Sequence, residues 1–501
     1  MHQCPTEEAR LLPGSSRLGA GSYGDLGPDK SRSGDVVRSS APPSFTVEQA
    51  VNELGFGWFQ VKLTLLVSLA CVADSMEIMV VSILSPAIHC EWGVSAFLQA
   101  VLTIGVFLGH MLGSVYWGRF SDKRGRKTAL VVSSVVLFVF GLASAFTPNF
   151  ATLLLVRSLA GFGVGGLHVA ATLYAEFLPT VYRGKCILLL AAYWALGSAF
   201  EAVLAFFVMD PLGWRWLLGL SSVPVLFCVI GCLALPESPR YHVACQKVEK
   251  AMDELSLVAS ANGKAMPDGS LISSVPESEE RGRILDLFLP YYKTTTVLLL
   301  VAWSACTFCY YGVVLLNTTT LEAIGKAEDE FADLSQADTN VSDCHSLSKL
   351  DYFDLVVSSV SGVPGIIFTL FIIDWIGRRW TVAAECAVQA GALAALLLSL
   401  DRAVVSVAFF LARAASLSAL MVLWVYTPEV YPTTLRSIGL GSCNGLSRLG
   451  GMATPFVAQI LNTVSIRLSA AIYLVVAATA AVSALLLPHE TKGLEMTDAH
   501  L

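Results

Sequence analysis

Twelve apolar stretches, each close to the length needed to cross a bilayer, constrain this chain more than any other feature. They form two groups of six, near 58–86, 96–118, 128–147, 150–174, 185–208 and 215–235, and near 295–316, 351–373, 380–399, 403–425, 437–461 and 466–488. A helix needs about 20 apolar residues to span the hydrocarbon core. Only 14% of the 501 residues are charged, against about 25% in soluble domains. The sequence therefore predicts an all-α membrane protein, and we number the stretches spans 1 to 12.

Lysine and arginine are distributed unevenly among the connections. The connection after span 2 holds Arg119, Lys123, Arg124, Arg126 and Lys127, whereas residues 87–95 after span 1 hold none. Positive charge collects on the cytoplasmic side of membrane proteins. The predicted layout is a disordered cytoplasmic tail, a six-helix half, a cytoplasmic central loop, a second six-helix half with a lumenal loop, and a cytoplasmic tail. These segments are 1–44, 45–235, 236–294, 295–488 with its loop at 317–350, and 489–501.

The second group of spans repeats features of the first. Asp374 after span 8 follows Asp122 after span 2 by 252 residues, and Glu429 after span 10 follows Glu176 after span 4 by 253. Arg413 in span 10 follows Arg157 in span 4 by 256 residues. Nearly constant spacing indicates a duplicated six-helix unit, and six being even, both copies have the same orientation. Parallel repeats place a binding site between the halves near the middle of the membrane.

These motifs resemble those of the major facilitator superfamily. Gly118-Arg-Phe-Ser-Asp122-Lys-Arg-Gly125-Arg126-Lys127 is similar to its loop motif, and Arg157-x-x-x-Gly161-x-Gly163-x-Gly165 to its fourth-helix motif. Pro236-Glu-Ser-Pro-Arg240 resembles the sugar and organic-ion porter branch. Within that branch, Asp74-Ser-Met-Glu77 and Tyr426-Thr-Pro-Glu429 are similar to a group of vesicle membrane proteins. The resemblance implies a twelve-helix transporter fold in a synaptic or other cytoplasmic vesicle membrane, with the plasma membrane as a second location.

The resemblance also implies a charged latch that fastens the two halves in one conformation. Carboxylate–guanidinium pairs can form in one arrangement and break in the other. Positive charge that only sets topology is the alternative interpretation. The glycines of the fourth-helix motif are expected to permit close helix packing. The latch residues would be Gly118, Asp122, Arg126, Arg157, Glu176, Arg183, Asp374, Arg378, Arg413, Glu429 and Arg436.

Charged residues inside the spans are the candidates for chemistry, because a charge at the bilayer centre costs a few kcal/mol or more. Asp74 and Glu77 lie three residues apart in span 1 and so share one helix face. At least one of two such carboxylates is expected to hold a proton, which suits a proton site; a charge network without a transport role is the alternative. The predicted proton and substrate cavity comprises Asp74, Glu77, Glu201, Arg448, Tyr310 and Tyr311. His168 in span 4 is interpreted as a structural histidine.

Two further patterns concern processing and sorting. The sequons at Asn317 and Asn340 predict a glycoprotein with glycans on the lumenal side. Glu7, Leu11 and Leu12 fit an acidic dileucine signal, which would bind sorting adaptors from the N-terminal tail. Cys90 and Cys344, both on the predicted lumenal side, are candidates for a disulfide.

The sequence favours a transporter that moves a small organic solute, such as an organic ion, by alternating access, with proton coupling open. One alternative is a vesicle protein that binds a ligand or trafficking partner without transport. Another is a facilitative sugar porter, although span 7, from Trp303 to Tyr311, lacks the paired glutamines of sugar porters. No phosphate-binding loop, nucleophile elbow or metal-ligand spacing is visible. We therefore expect no enzyme activity, no cofactor, no metal and no nucleic-acid partner, only lipid, solute and protons.

Overall fold

The computed structural model describes residues 44–272, 283–336 and 347–492. Spans 1 to 6 are the helices Trp58–Trp92, Ala96–Arg124, Arg126–Ser144, Phe150–Glu176, Thr180–Leu212 and Trp214–Ala234. Spans 7 to 10 and span 12 are Lys293–Gln336, Lys349–Ile376, Arg378–Leu398, Arg402–Val430 and Ile466–Leu485. Span 11 is the helix Thr433–Pro455, continued by a π-helix at Phe456–Leu461 and a short helix at Asn462–Val464. We call the end of the bundle that follows the odd-numbered spans the lumenal end, after the predicted orientation.

Eleven helices in the described part of the chain are long and apolar enough to cross a membrane. Span 11 does not meet that criterion, because it carries Arg436, Asn444 and Arg448 among several glycines and serines. It nevertheless packs between span 2 of the first half and span 7 of the second. Its polarity reflects burial against other helices rather than against lipid. The predicted all-α architecture of two six-helix halves is confirmed.

Two predicted boundaries differ from the structure. Span 7 does not end at residue 316 but continues as helix to Gln336, so the segment predicted as a loop from 317 begins as helix. The central segment 236–294 contains the α-helices Pro239–Ala244 and Val248–Asn262 and the 3-10 helix Ile284–Phe288. Its mixed charge is typical of solvated helices as well as of loops, which is why composition alone did not separate them.

A short N-terminal segment joins the central segment to span 1. Ser44–Phe45 pairs in parallel with Ser270–Leu271, and the helix Val47–Leu54 follows behind a capping box at Thr46. The side chain of Asn262 donates to Gln60 Oε1 (2.9 Å) and accepts from the Phe59 backbone N–H (3.0 Å). These contacts fix the start of span 1 against the central helices.

Spans 3 and 9 begin in the same unusual way at the end opposite the lumenal one. Each follows a glycine with positive φ, Gly125 at 102° and Gly377 at 95°, whose lack of a side chain leaves the helix without its own cap. Glu237 Oε1 accepts from the N–H groups of Arg126 (2.7 Å) and Lys127 (3.2 Å). Glu490 does the same for the first two residues of span 9. Each carboxylate satisfies orphan donors and stabilises the positive end of the helix dipole.

Spans 2 and 4 approach backbone to backbone. A side chain on Gly109 or Gly113 of span 2 would strike the backbone of Ser158 or Phe162, and one on Gly161 would strike Val106. The expectation that the glycines of the fourth-helix motif permit close packing is confirmed. This packing makes spans 2 and 4 one rigid unit that carries several of the site residues described below.

We expect that loss of the caps formed by Glu237 and Glu490, which lie far in sequence from the helices they cap, destabilises each half. Glu237→Gln and Glu490→Gln keep the side-chain size but remove the negative charge, and each should lower the free energy of unfolding by about 1–2 kcal/mol. The measurement is thermal unfolding of the purified protein, with Glu53→Gln, an exposed glutamate of the helix Val47–Leu54, as the control. Equal melting temperatures for all three variants would contradict the capping role.

Candidate functional site

Eight charged side chains are buried within the described spans: the five named next, together with Glu322, Asp351 and Glu385. The exposed fraction is 3% for Asp74, 6% for Glu77, 0% for Glu201, 1% for Arg157 and 3% for Arg413. Buried charges need partners, since an unpaired one costs several kcal/mol. Their partners therefore reveal how the site is organised.

Glu77 and Arg157 form an ion pair between spans 1 and 4, with Glu77 Oε2 2.6 Å from Arg157 Nη2. The sequence analysis assigned Arg157 to the latch; here it pairs with Glu77 instead, and a latch role stays a prediction. Arg157 lies two turns from the lumenal start of span 4 and serves the membrane-buried carboxylate of its own half. Glu201 in span 5 lies within electrostatic reach of both groups. Its Oε1 accepts from Ser221 (2.8 Å), and its Oε2 has no hydrogen-bond partner.

Asp74 uses a different partner from Glu77, although the two share a helix face. Its Oδ2 lies 3.7 Å from Nδ1 of His168, and Nε2 of His168 lies 2.7 Å from Nη2 of Arg448. Arg448 Nη1 also donates to the hydroxyl of Tyr311 (3.1 Å). Arg448, a predicted cavity residue, does not contact Asp74 directly but reaches it through His168. The chain Asp74–His168–Arg448–Tyr311, which we call the central link, crosses from the first half to the second.

The contact with Arg448 determines the tautomer of His168. A guanidinium has only donors, so His168 Nε2 must accept and its proton must sit on Nδ1, facing Asp74. The ring of His110 in span 2 lies edge-on to His168, with centroids 5.0 Å apart. His168 also interrupts the helix of span 4, between Leu167 and Val169. The histidine is thus enclosed by groups from spans 1, 2 and 11.

Aromatic side chains complete the contact between the halves at this depth. Trp194 of span 5 donates from Nε1 to the hydroxyl of Tyr310 (2.6 Å), and Phe107 of span 2 packs on Tyr311 with ring centroids 4.9 Å apart. Trp303 does not reach this interface: it is buried within the second half, and its Nε1 donates to the hydroxyl of Thr427 (2.9 Å). Tyr310 and Tyr311 therefore lie at the interface, as expected for members of the site.

Arg413 has no carboxylate partner among the described residues. Its guanidinium lies 3.6 Å from the sulfur of Met79 in the first half and near the Tyr310 ring. It was predicted as a latch residue, but it lies deep in span 10, away from the charged clusters that follow spans 2 and 8, and a latch role stays a prediction. A thioether is a weak acceptor. Arg413 instead adds a cation to the interface between the halves.

Near the lumenal end the halves meet through four polar side chains, Ser85, Gln99, Thr103 and Gln459, which we call the lumenal clasp. Gln459, in the π-helix of span 11, donates to Ser85 (3.1 Å) and accepts from Thr103 (3.2 Å). Ser85 in turn donates to Gln99 (2.7 Å). All four are at most 7% exposed. The lumenal side is closed in this structure.

The charged clusters at the opposite end pair within their own halves. Arg126 contacts Asp122 (2.6 Å) and Glu176 (3.7 Å) in the first half. Arg378 contacts Asp374 (3.4 Å) and Glu429 (3.2 Å) in the second. No ion pair joins the two clusters within the described ranges. The repeat in sequence is thus a repeat in geometry, and the latch between halves stays a prediction.

Three further predicted latch residues make no ion pair with the clusters around Arg126 and Arg378. Arg183 contacts Glu48 of the N-terminal helix (3.7 Å) rather than Glu176. Arg436 makes no ion pair with Glu429, and its Nε is buried without a hydrogen-bond partner. Gly118 faces open space, since a side chain there would meet no atom within 4 Å. Gly441 and Gly445 of span 11 face open space in the same way.

The predicted glycan at Asn317 is wrong for this structure. Its side chain is 2% exposed inside span 7 and donates to Ser358 (2.7 Å), which leaves no room for a sugar. The other sequon at Asn340, the sorting residues Glu7, Leu11 and Leu12, and Cys344 of the predicted disulfide lie outside the described residues.

Sequence reasoning missed two ionisable groups within the spans. His168 was interpreted as structural, although an ionisable residue inside a span is a functional candidate by default. Glu385 in span 9 is 6% exposed and accepts from Thr369 (2.6 Å), while its second oxygen has no partner. Its signal was present in the sequence as a lone glutamate in an apolar run.

Comparison with known proteins agrees with the fold and the motifs. Residues 85–500 match the family described as "Sugar (and other) transporter". The chain belongs to this family of the major facilitator superfamily, and it is a transporter-type protein, not an enzyme.

Two individual relatives and one solved structure illustrate what the chain is similar to. The chain is 44% identical over 453 residues to the synaptic vesicle 2-related protein of Pongo abelii, which covers 90% of this chain and 82% of that one. It is 31% identical over 491 residues to organic cation/carnitine transporter 7 of Arabidopsis thaliana, covering 91% and 96%. A partially occluded inward-open structure of the xylose transporter XylE from E. coli aligns with a TM-score of 0.65 at 18% identity, covering 87% of this chain and 99% of that one. That similarity concerns the fold alone.

We expect a large side chain at Gly118 to hold the protein in this lumenally closed state. Gly118→Leu fits the open space found here, but span 2 packs on span 11, so the leucine would obstruct any closer approach of their ends. The matched control is Gly391→Leu, another helical glycine facing open space, in span 9.

The measurement is labelling of single cysteines placed at the lumenal end and at the opposite end. Gly118→Leu should lower lumenal labelling by about tenfold if it shifts the equilibrium by one decade, and Gly391→Leu should not. Equal labelling of both variants would show that the Gly118 surface takes no part in closure.

Proposed function

We propose that this protein moves a small organic solute across a vesicle membrane by alternating access, and that proton binding is coupled to the movement. The observation that carries the proposal is the central link, in which a half-buried cation of the second half, Arg448, is held by a titratable side chain of the first half, His168. Such a contact makes the relative position of the halves depend on protonation.

The coupling follows from competition for one nitrogen atom. Arg448 donates to Nε2 of His168, so a proton on that nitrogen would place two donors face to face and break the contact. Arg448 and a proton therefore exclude one another. The groups that face His168 are Asp74 from span 1, His110 from span 2 and Arg448 from span 11. Asp74, when ionised, favours the protonated imidazole once Arg448 has left.

This competition ties proton binding to conformation. While the lumenal side is closed, Arg448 occupies His168 and the proton is excluded. When the halves separate, Arg448 moves away with the second half, and His168 beside Asp74 becomes a site for a proton. A ligand shifts a conformational equilibrium only by its differential affinity for the two states, and here the proton has that difference.

Glu77 and Arg157 offer a second place for a proton within the first half. The pair is internal to one half, so it need not break when the halves move. Protonation of Glu77 would leave Arg157 near Glu201, whose Oε2 is unpartnered. The original prediction of a proton site at Asp74 and Glu77 thus becomes two sites with different partners, of which the central link is the one that senses conformation.

The interface composition favours an organic ion as the solute. Arg448, Arg413, Trp194, Tyr310 and Tyr311 combine cations with aromatic rings, which suits a flat or carboxylate-bearing molecule better than an uncharged sugar. Relatives named for organic cations, carnitine and synaptic vesicles support an organic ion and a vesicle location. The xylose transporter supports the fold and leaves the sugar porter as the alternative.

The test is uptake into proteoliposomes, screened over organic cations, carboxylic acids including nicotinate-like ones, and sugars. With a transported solute in hand, His168→Gln keeps an acceptor for Arg448 but cannot titrate, and Asp74→Asn removes the facing charge. Each should flatten the pH dependence of uptake and reduce proton-driven accumulation by about tenfold or more. Exchange of solute for solute should survive.

His242→Gln is the matched control, because His242 is titratable but lies in a short helix after span 6. Wild-type pH dependence in both His168→Gln and Asp74→Asn would rule out the central link as the coupling site, and Glu77→Gln would then test the second pair. No uptake of any solute by correctly folded protein would favour the non-transporting alternative.

A further inference from the structure

A cavity of about 550 Å³ lies at the lumenal end, separate from the central link. Its walls come from both halves: His89, Ala96 and Gln99 belong to the first, and residues of spans 7, 11 and 12 to the second. Cavities of this size hold small molecules. None of the residues predicted from the sequence as site members lines it. The question is which chemistry it would accept.

One wall presents an unsatisfied hydrogen-bond acceptor. Asn462, just after the π-helix of span 11, is 5% exposed and lines the cavity. Its Nδ2 donates to Thr319 Oγ1 (3.1 Å), and Thr319 gives its own proton to the carbonyl of Ala458 (2.9 Å). Thr319 can therefore only accept from Asn462, which fixes the orientation of the amide. The remaining Asn462 Oδ1 is buried without a partner. A buried acceptor of this kind would be satisfied by a hydrogen-bond donor placed in the cavity.

The start of span 12, which also lines the cavity, offers hydrogen-bond donors rather than an acceptor. Ser465, the N-cap of a 20-residue helix, lines the cavity together with Ile466 and Arg467, the first two residues of that helix. Ser465 caps the N–H of Leu468 (3.3 Å), while no hydrogen bond is made by the N–H groups of Ile466 and Arg467 in the described structure. Such a helix start attracts anions.

Side-chain charge adds to this attraction. Arg467 makes no ion pair with any described residue, whereas Lys326 is neutralised by Glu322 at 2.7 Å. The cavity therefore carries about one net positive charge, at the end where the helix begins.

We propose that this cavity binds a small carboxylic acid that also carries a hydroxyl or amino group. The carboxylate would lie against Arg467 and the start of span 12, and the hydroxyl or amino group would donate to Asn462 Oδ1. A charged group paired with an arginine supplies affinity, and the buried acceptor supplies selectivity for a ligand with a donor.

Occupancy of the cavity would favour the closed lumenal side. Gln459 both lines the cavity and forms the lumenal clasp with Ser85 and Thr103. Since the walls come from both halves, the cavity exists in this form only while they are together. A ligand that binds one state alone stabilises that state. The site is thus regulatory, outside the central link.

Binding of D-glycerate to the purified full chain in lipid nanodiscs tests the proposal. Glycerate has both groups, and propionate has the carboxylate without the donor. We expect glycerate to raise the melting temperature in a saturable way and to bind at least about fivefold more tightly than propionate. Arg467→Gln should weaken glycerate binding by about tenfold. Arg283→Gln, a matched exposed arginine of the central segment, should not.

Asn462→Ala adds an independent readout, because it should abolish the preference for glycerate over propionate while leaving binding of the carboxylate. Should that variant fail to fold, Arg467→Gln decides alone. Absence of saturable glycerate binding, or equal affinity in Arg467→Gln and Arg283→Gln, would overturn the proposal. None of these measurements depends on transport, so the outcome is distinct from that of the proton-coupling experiment.

Discussion

A guanidinium inside an apolar helix bundle needs a partner even where it is only partly buried, and Arg448 finds one in a histidine of the other half. The 2.7 Å contact between Arg448 and His168 crosses the interface at mid-depth. The contact is partly buried, so solvent competes with it less than it would in water. The free energy of this cation is thereby linked to the relative position of the halves. Asp74 behind His168 extends the link to a carboxylate.

Most of the other ion pairs lie within one half, and the exception among the buried charges is Arg413, which contacts Met79 across the interface. Glu77 pairs with Arg157 inside the first half, and the clusters around Arg126 and Arg378 close within one half each. Glu237 and Glu490 fasten equivalent helix starts by equivalent hydrogen bonds. Each half therefore holds most of its own ion pairs and can move as a rigid body. The polar contacts between the halves in the described residues are the ones that a change of state can break. They are the central link, the lumenal clasp, Trp194 with Tyr310, Arg413 with Met79, and the exposed ion pair of Lys349 with Asp210 (3.1 Å).

Much of the fold followed from the sequence, because span length and charge patterning are imposed by the bilayer itself. Glu176 and Glu429 pair with Arg126 and Arg378, the arginines of the repeated loop motif. What periodicity could not supply was the rotation of each helix against its neighbours. That rotation determines that Arg157 pairs with Glu77, that Arg413 contacts Met79, and that the side chain of Asn317 points inward and donates to Ser358. The role of His168 could not be predicted either, since it depends on contacts with Asp74 and Arg448, which belong to spans distant in sequence.

Distance measurement between the halves tests the central claim most directly. Spin labels at positions 97 and 464, both exposed near the lumenal end, report whether that side is closed. Double electron–electron resonance should show mainly the short distance in the otherwise native protein. Arg448→Gln removes the charge that His168 holds, so the longer, lumenally open distance should gain population by about tenfold. Lys62→Gln, at the start of span 1, should leave the distribution unchanged. The same distribution in Arg448→Gln and Lys62→Gln would contradict the account.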